Sequence, residues 1–104
     1  MFDALENARR IIHQLSALVA EIARHDADLA RQLRKAATSI PFNVAEGRQR
    51  AGKDREHHYR VALGSAAEAV EALHVALAWR YIADAGEALA LLDRGRAMLW
   101  RLTH

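Results

Sequence analysis

The sequence contains no cysteine, one proline, five glycines and few aromatic residues, which make up 6% of the chain. Without cysteine the protein has no disulfide framework, no zinc–thiolate site and no thiol nucleophile. Little proline and glycine and 52% hydrophobic residues argue against a disordered, collagen-like or loop-rich chain. No run reaches the ~18 uninterrupted apolar residues of a membrane span, and no apolar signal core opens the chain. We therefore predict a cytoplasmic protein that does not bind membranes.

The 104 residues predict a single domain, residues 1–104, because domains usually contain ~100–200 residues. Fifteen basic and thirteen acidic residues give a formal net charge of +2. This weak positive balance permits contact with nucleic acid without implying it. Alanine and the aliphatic residues supply more apolar surface than a small monomer can easily bury.

Apolar residues recur at alternating steps of three and four in four segments, which is typical of amphipathic helices. The stripes are Leu5, Ala8, Ile12, Leu15, Val19 and Ile22; Leu29, Leu33, Ala36, Ile40 and Val44; Tyr59, Leu63, Ala66, Val70, Leu73 and Leu77; and Ala88, Leu91, Gly95, Met98 and Leu102, with Leu89, Leu92 and Leu99 widening the last one. No strand-like alternation occurs, and the short connections between segments favour antiparallel neighbours. The predicted fold is all-α, an antiparallel up-down-up-down four-helix bundle.

Acidic residues and a glycine indicate where these helices begin and end. Asp3 is suited to cap the first helix, either Asp26 or Asp28 the second, and Asp84 the fourth. Gly47 suits the end of the second helix, where a left-handed residue is often needed.

Pro41 lies inside the second predicted helix, where proline removes a backbone hydrogen bond and clashes with the preceding turn. The apolar phase continues from Ile40 to Val44. We therefore expect the helix to be kinked at Pro41 and to continue beyond it.

Residues 39–47 read S-I-P-F-N-V-A-E-G. This stretch resembles the S-I-P-x-N-[IV]-A-E-G signature of a bacterial four-helix-bundle family encoded by intervening sequences within 23S rRNA genes. Residues 62–73 resemble the family's A-x-G-S-x-x-E-x-x-x-x-L stretch, and Tyr81-Ile82 matches its G-Y-[IL] end, although Arg80 replaces the glycine. The matching signature residues are Ser39, Pro41, Asn43, Glu46, Gly47, Gly64, Ser65 and Glu68.

The resemblance implies a left-handed bundle and homo-oligomers, with ring-shaped pentamers as the family's assembly. One branch, the accessory variability determinant of diversity-generating retroelements, serves a reverse transcriptase. In that branch a basic pentamer engages RNA and the polymerase. Two departures from the family pattern, Phe42 and Arg80, leave the branch open.

The signature residues favour structural roles over binding. Gly64 and the small residues that follow it would let another helix approach closely. Glu46 lies near a helix C-terminus, where exposed negative charge costs ~0.3–1 kcal/mol, so we expect it to have a basic partner, either Arg48 or an arginine from another helix. If the second and third helices form a hairpin, Glu68 lies level with Arg31 or Arg34, which predicts an ion pair.

A basic cluster spans the second connection and the start of the third helix. Its members are Arg48, Arg50, Lys53, Arg55 and Arg60, diluted by Asp54 and Glu56. Arginine offers a planar donor fork suited to phosphate, so these side chains are candidates for contact with a nucleic-acid backbone. The alternative is a solvated connection with local ion pairs.

Metal binding and catalysis find little support. Glu71-x-x-His74 has the spacing of di-iron bundles, but the second such pair that those sites need is missing. No G-x-S-x-G motif or phosphate-cradling glycine loop occurs. We therefore predict no metal, no cofactor, no catalytic residue and no enzymatic activity.

The third helix carries a second apolar strip beside its core stripe, with Val61, Ala69, Ala72, Val75 and Trp79 as candidate interface residues. Large exposed apolar surfaces usually mark interaction sites, so the strip predicts self-association. Together these features predict a homo-oligomeric, nucleic-acid-associated accessory protein. The alternative is a protein–protein adapter, such as a reverse-transcriptase accessory subunit, that does not bind nucleic acid.

Overall fold

The computed structural model describes residues 2–104. Its helices are α1 (Ala4–Ala23), α2 (Ala27–Gln49), α3 (Gly52–Ala78) and α4 (Ala88–Thr103), and no residue from 2 to 104 lies in a strand. Both α1 and α3 pack against α2 and against α4. The long axis of 42 Å matches the ~40 Å expected for the 27 residues of α3. The predicted all-α four-helix bundle is confirmed, while its connectivity and handedness stay predictions.

The predicted caps hold for the first two helices. Asp3 accepts a hydrogen bond from the Glu6 N–H at 2.9 Å, and Asp26 accepts one from the Leu29 N–H at 2.9 Å. These carboxylates satisfy amides that have no partner inside the helix. Helix α2 runs through Pro41 without a break, and a kink there stays a prediction.

Two predicted boundaries are wrong. Helix α4 begins at Ala88, because the Asp84 carboxylate accepts a hydrogen bond from the Gly86 N–H at 2.8 Å and closes a turn before the helix. Helix α2 continues to Gln49, so Gly47 is helical and is not a left-handed cap. Gly47 instead makes room for an aromatic ring, because an added Cβ would lie 2.5 Å from Cε1 of Tyr59.

The core follows the predicted stripe on α2 throughout, and on α1 and α4 in part. All five predicted α2 residues are buried. On α1, Ile11 is fully buried while Ile12 is 37% exposed, and on α4, Leu92 and Leu99 are buried while Leu102 is exposed. Ala8, Leu15 and Ile22 of the predicted α1 stripe and Ala88 and Gly95 of the predicted α4 stripe are also buried. The buried face of each helix therefore agrees in part with the prediction.

Helix α3 buries a stripe of alanines. Ala62, Ala66, Ala69, Ala72 and Ala76 are all buried in the single chain, whereas Leu63, Val70 and Leu77 are only partly buried. Small side chains let α3 lie close to both neighbouring helices. The expected interface strip is correspondingly narrower, because Ala69 and Ala72 belong to the core.

A left-handed residue ends α3. Arg80 has φ +63°, its N–H donates to the Leu77 carbonyl at 3.0 Å, and the Tyr81 N–H donates to the Ala76 carbonyl at 2.9 Å. These two bonds form the Schellman motif, in which glycine usually occupies the left-handed position.

Helix α3 is also long and apolar enough to cross a membrane by length and composition, with a mean hydropathy of 1.4 over its most apolar 18 residues. Glu68 and Glu71 interrupt its apolar sequence, so the prediction that no uninterrupted apolar run is long enough to span a membrane is not contradicted. The absence of membrane binding stays a prediction. One such helix is weak evidence for a membrane span, because a core helix passes the same test. The alanine stripe that packs against α2 and α4 is a feature of this kind of helix.

Candidate nucleic-acid interface

Distant parts of the chain meet at one end of the bundle. Arg48, near the end of α2, forms an ion pair with Asp3 at 2.9 Å, and Tyr59 on α3 packs against Gly47. Arg94 of α4 lines one pocket together with Asp3 and Tyr59. These contacts bring the beginnings of α1 and α3 together with the ends of α2 and α4.

We call this end the basic half and define it as residues 2–13, 39–65 and 93–104. It contains ten of the fifteen Lys and Arg residues but only six of the thirteen Asp and Glu residues. The remainder of the chain has more acidic than basic residues. One end of the bundle is therefore positive and the other negative, and these charges partly cancel in the small net charge of the chain.

Two members of the predicted basic cluster form local ion pairs. Arg50 lies 3.3 Å from a carboxylate oxygen of Glu46 and 3.7 Å from one of Asp54, and the Arg60 Nε donates to Glu56 at 3.1 Å. All of these side chains remain substantially exposed. Exposed pairs of this kind contribute only ~0–1 kcal/mol, so a phosphate can compete for both guanidinium groups.

Arg55 has a structural task within the same cluster. Its Nε donates to the Gly47 carbonyl at 3.0 Å, and its Nη2 donates to the Arg48 carbonyl at 3.2 Å. Both carbonyls lie in the last turn of α2, where the regular helical donors four residues on are missing, although the Gly47 carbonyl also accepts the Arg50 N–H at 3.2 Å. Lys53, by contrast, is exposed and forms no ion pair with any residue from 2 to 104.

Asp3 links the cap of α1 to the cluster. The hydrogen bond from the Glu6 N–H, with the Arg48 guanidinium beside it, holds the pKa of Asp3 below its usual value. Both interactions favour the carboxylate over the protonated acid. The sequence alone does not reveal this pair, because 45 residues separate its members.

The signature polar residues form one network between α2 and α3. Asn43 Nδ2 donates to the Ser39 carbonyl and to Ser39 Oγ, each at 3.0 Å. Ser39 Oγ and Ser65 Oγ lie 2.8 Å apart, and His58 Nδ1 lies 3.1 Å from Asn43 Oδ1. The network supports the predicted structural role of these residues. His58 was missed because it belongs to the network only through the packing of α3 on α2.

The acidic signature residues behave differently from each other. Glu46 has a basic partner, but this is Arg50, directly after α2, and not Arg48 or an arginine of another helix as predicted. The predicted ion pair of Glu68 with Arg31 or Arg34 is wrong, since Glu68 is exposed and has no ion pair with any described residue. Arg31 instead pairs with Asp28, one turn earlier.

Gly64 does not mediate close helix packing within the chain. It is exposed, and a Cβ added to it would meet no atom within 4 Å. It lines an open groove of about 650 Å³ between α3 and α4, together with Arg60 and Trp100. The predicted close approach of another helix at Gly64 is therefore wrong for the single chain.

No metal or catalytic cluster is visible in the described part of the chain. Across residues 2–104, no three His, Asp or Glu side chains are grouped to hold a metal ion, and both Glu71 and His74 are exposed. His58 hydrogen-bonds with Asn43 rather than with Ser39 or Ser65. The serine hydroxyls of the network thus have no direct histidine base.

Comparisons with known proteins agree with the resemblance carried by the two motifs. Residues 2–101 match the family described as 23S rRNA-intervening sequence protein. The comparisons with curated proteins and with solved structures gave no match. The family match covers nearly the whole chain and includes both signature stretches. The chain therefore belongs to the 23S rRNA-intervening sequence protein family.

Proposed function

We propose that this protein is a non-enzymatic, homo-oligomeric accessory protein of the cytoplasm that contacts RNA or DNA backbones through its basic half. The observation that carries the proposal is the uneven distribution of charge, with ten of fifteen basic and six of thirteen acidic residues in that half. A concentrated positive field attracts polyphosphate even when the net charge of the chain is small.

The side chains available to phosphate are Lys53, Arg50 and Arg60. Lys53 has no competing carboxylate, and the other two lie in exposed, weak ion pairs with neighbours on the same helix or the connection. Arg55 contributes indirectly, because its hydrogen bonds to Gly47 and Arg48 hold the end of α2. Contacts of this kind position a nucleic acid without selecting its sequence.

The proposal is tested by measuring the affinity for single-stranded RNA and for duplex DNA over a series of salt concentrations. The double variant Lys53→Glu, Arg50→Glu should bind more weakly, and the slope of log K against log salt should shrink by about one for each lost contact. Arg24→Glu, Lys35→Glu is the matched control, because it makes the same charge change in the other half. Equal losses in both double variants would contradict the proposal.

A second candidate is a protein–protein adapter, with a reverse transcriptase as one possible partner. The observation that favours it is the exposure of three large aromatic side chains, Phe42 on α2, Trp79 directly after α3 and Trp100 on α4. Exposed aromatic surface is enriched at protein interfaces. The absence of nucleic-acid binding even at low salt, with stoichiometric co-purification of one protein, would favour the adapter.

Self-association is part of both candidates. Val61 on α3 is 37% exposed and Trp79, directly after α3, is 66% exposed, while Val75 between them is half-buried. A second copy that covers these side chains would remove apolar surface from water. In a pentamer, as the family resemblance implies, the basic half would occur five times, and its weak individual contacts would act together.

A further inference from the structure

A pocket of about 700 Å³ opens in the basic half, between the start of α1 and the outer turns of the other three helices. Its lining includes three guanidinium groups, from Arg48, Arg94 and Arg101, and one carboxylate, from Asp3. Their formal charges leave an excess of two positive charges in one concave site. Clefts that concentrate one sign of charge attract ligands of the opposite sign.

The three arginines are held to different degrees. Arg48 is paired with Asp3, and the guanidinium carbon of Arg94 lies 4.4 Å from the centre of the Phe2 ring. The Arg101 side chain makes no hydrogen bond or ion pair within residues 2–104. All three are exposed, so their donor groups remain accessible to a ligand.

We infer that this pocket binds a phosphate monoester, the doubly charged group found at the phosphorylated end of a nucleic-acid strand and in a free nucleotide. This inference rests on the proposed function, because it gives the basic half a preference for one kind of strand end. A monoester carries nearly two negative charges at neutral pH and three acceptor oxygens. The three arginines and one aspartate carry an excess of two positive charges, which a monoester neutralises almost completely. A backbone phosphodiester carries one negative charge and would neutralise only half of that excess.

Asp3 competes with the ligand in this arrangement. Its carboxylate accepts the Glu6 N–H as a helix cap and occupies the Arg48 guanidinium that a phosphate would use. Asparagine caps helices about as well as aspartate, so Asp3→Asn keeps the cap and removes the competing charge. This substitution should therefore tighten phosphate binding rather than weaken it.

The test compares oligonucleotides of one sequence that carry a 5′-phosphate, a 3′-phosphate or hydroxyl groups at both ends. We expect at least one phosphorylated form to bind about tenfold more tightly than the hydroxyl form, as charge-assisted hydrogen bonds allow. Arg101→Gln should abolish that difference, and Asp3→Asn should enlarge it. Arg96→Gln is the matched control, since it removes the same charge from the same helix but lines the groove between α3 and α4 instead.

A parallel measurement with inorganic phosphate separates the two sources of the ligand. Thermal stabilisation of the wild-type protein by phosphate, relative to chloride at equal ionic strength, should be lost in Arg101→Gln and retained in Arg96→Gln. Equal affinity for phosphorylated and hydroxyl oligonucleotides would overturn the inference and leave the proposed function standing. If no oligonucleotide binds at any salt concentration, the proposed function fails, and a phosphate effect that depends on Arg101 would then identify a free phosphate ester as the ligand.

Discussion

Arg80 occupies a backbone conformation that suits glycine, and its substitution gives the first prediction. A left-handed conformation costs an ordinary residue roughly 1–2 kcal/mol, and glycine would avoid this cost. Glycine also has more chain entropy in the unfolded state, which offsets about 0.5–1 kcal/mol of the stability gained. We therefore expect Arg80→Gly to raise the free energy of unfolding by about 0.5–1 kcal/mol, measured by urea denaturation.

Gly52→Ala is the companion variant, because Gly52 has φ +58° and no atom within 4 Å of an added Cβ. It should lower the free energy of unfolding by about 1 kcal/mol for backbone reasons alone. A loss of stability in Arg80→Gly would show that the arginine side chain outweighs the strain.

Gly47 and Gly64 look alike in the sequence but differ in their surroundings. An alanine Cβ at position 47 would lie 2.5 Å from the Tyr59 ring, while one at position 64 would lie in open space. We expect Gly47→Ala to destabilise the protein by about 1–3 kcal/mol through overpacking. Gly64→Ala should stabilise it by about 0.5–1 kcal/mol, because alanine favours helix. Equal changes in the denaturation midpoint would contradict the placement of Tyr59.

At the scale of the elements, the polar network couples α2 to α3. Ser39 and Ser65 share a partly buried hydrogen bond of 2.8 Å across the two helices. A double-mutant cycle with Ser39→Ala and Ser65→Ala should give a coupling of about 1 kcal/mol in the free energy of unfolding. Thr38 provides the control, because its hydroxyl is exposed and donates to the Arg34 carbonyl of its own helix.

The cycle with Thr38→Ala and Ser65→Ala should be additive to within about 0.3–0.5 kcal/mol. Coupling of the same size in both cycles would mean that the network does not join the helices through Ser39.

The buried faces of the helices show what the spacing of apolar residues can predict and what it cannot. On α2 the predicted stripe is buried throughout, because polar residues flank it and only one face is apolar. On α1 the adjacent pair Ile11 and Ile12 offers two faces, and the same is true of Leu91 and Leu92 on α4. A period of 3.6 residues cannot choose between two neighbouring apolar stripes. The packing of one helix on another makes that choice.

Helix α3 shows the same limit in a different form. Of its predicted stripe, Tyr59, Ala66 and Leu73 are buried, but Leu63, Val70 and Leu77 are only partly buried. Alanines make up most of the rest of the buried face. Alanine contributes little apolar area by itself, so its value lies in close contact between helices. That contact exists only after the bundle has assembled.

For the whole molecule, we predict self-association through the exposed residues of α3. Val61→Glu would place a charge in an apolar contact between copies, where its desolvation is costly. The variant should therefore have a lower mass than the wild type in light scattering at micromolar concentration. Ala17→Glu is the control, since it adds the same charge at an exposed site on α1. A monomeric wild type, or equal masses for both variants, would contradict the prediction.

The amino-acid sequence by itself determined the four helices, two of their caps, the core face of α2 and the family, because these depend on residues close together in the chain. On the other three helices, the tertiary structure decided which of the neighbouring apolar residues are buried. It also placed Asp3 beside Arg48, His58 beside Asn43, and three arginines around one pocket. Such pairings join residues far apart in the sequence, and their distances depend on how the helices pack. Periodicity describes one helix at a time, whereas charge and hydrogen bonding act across the space between helices.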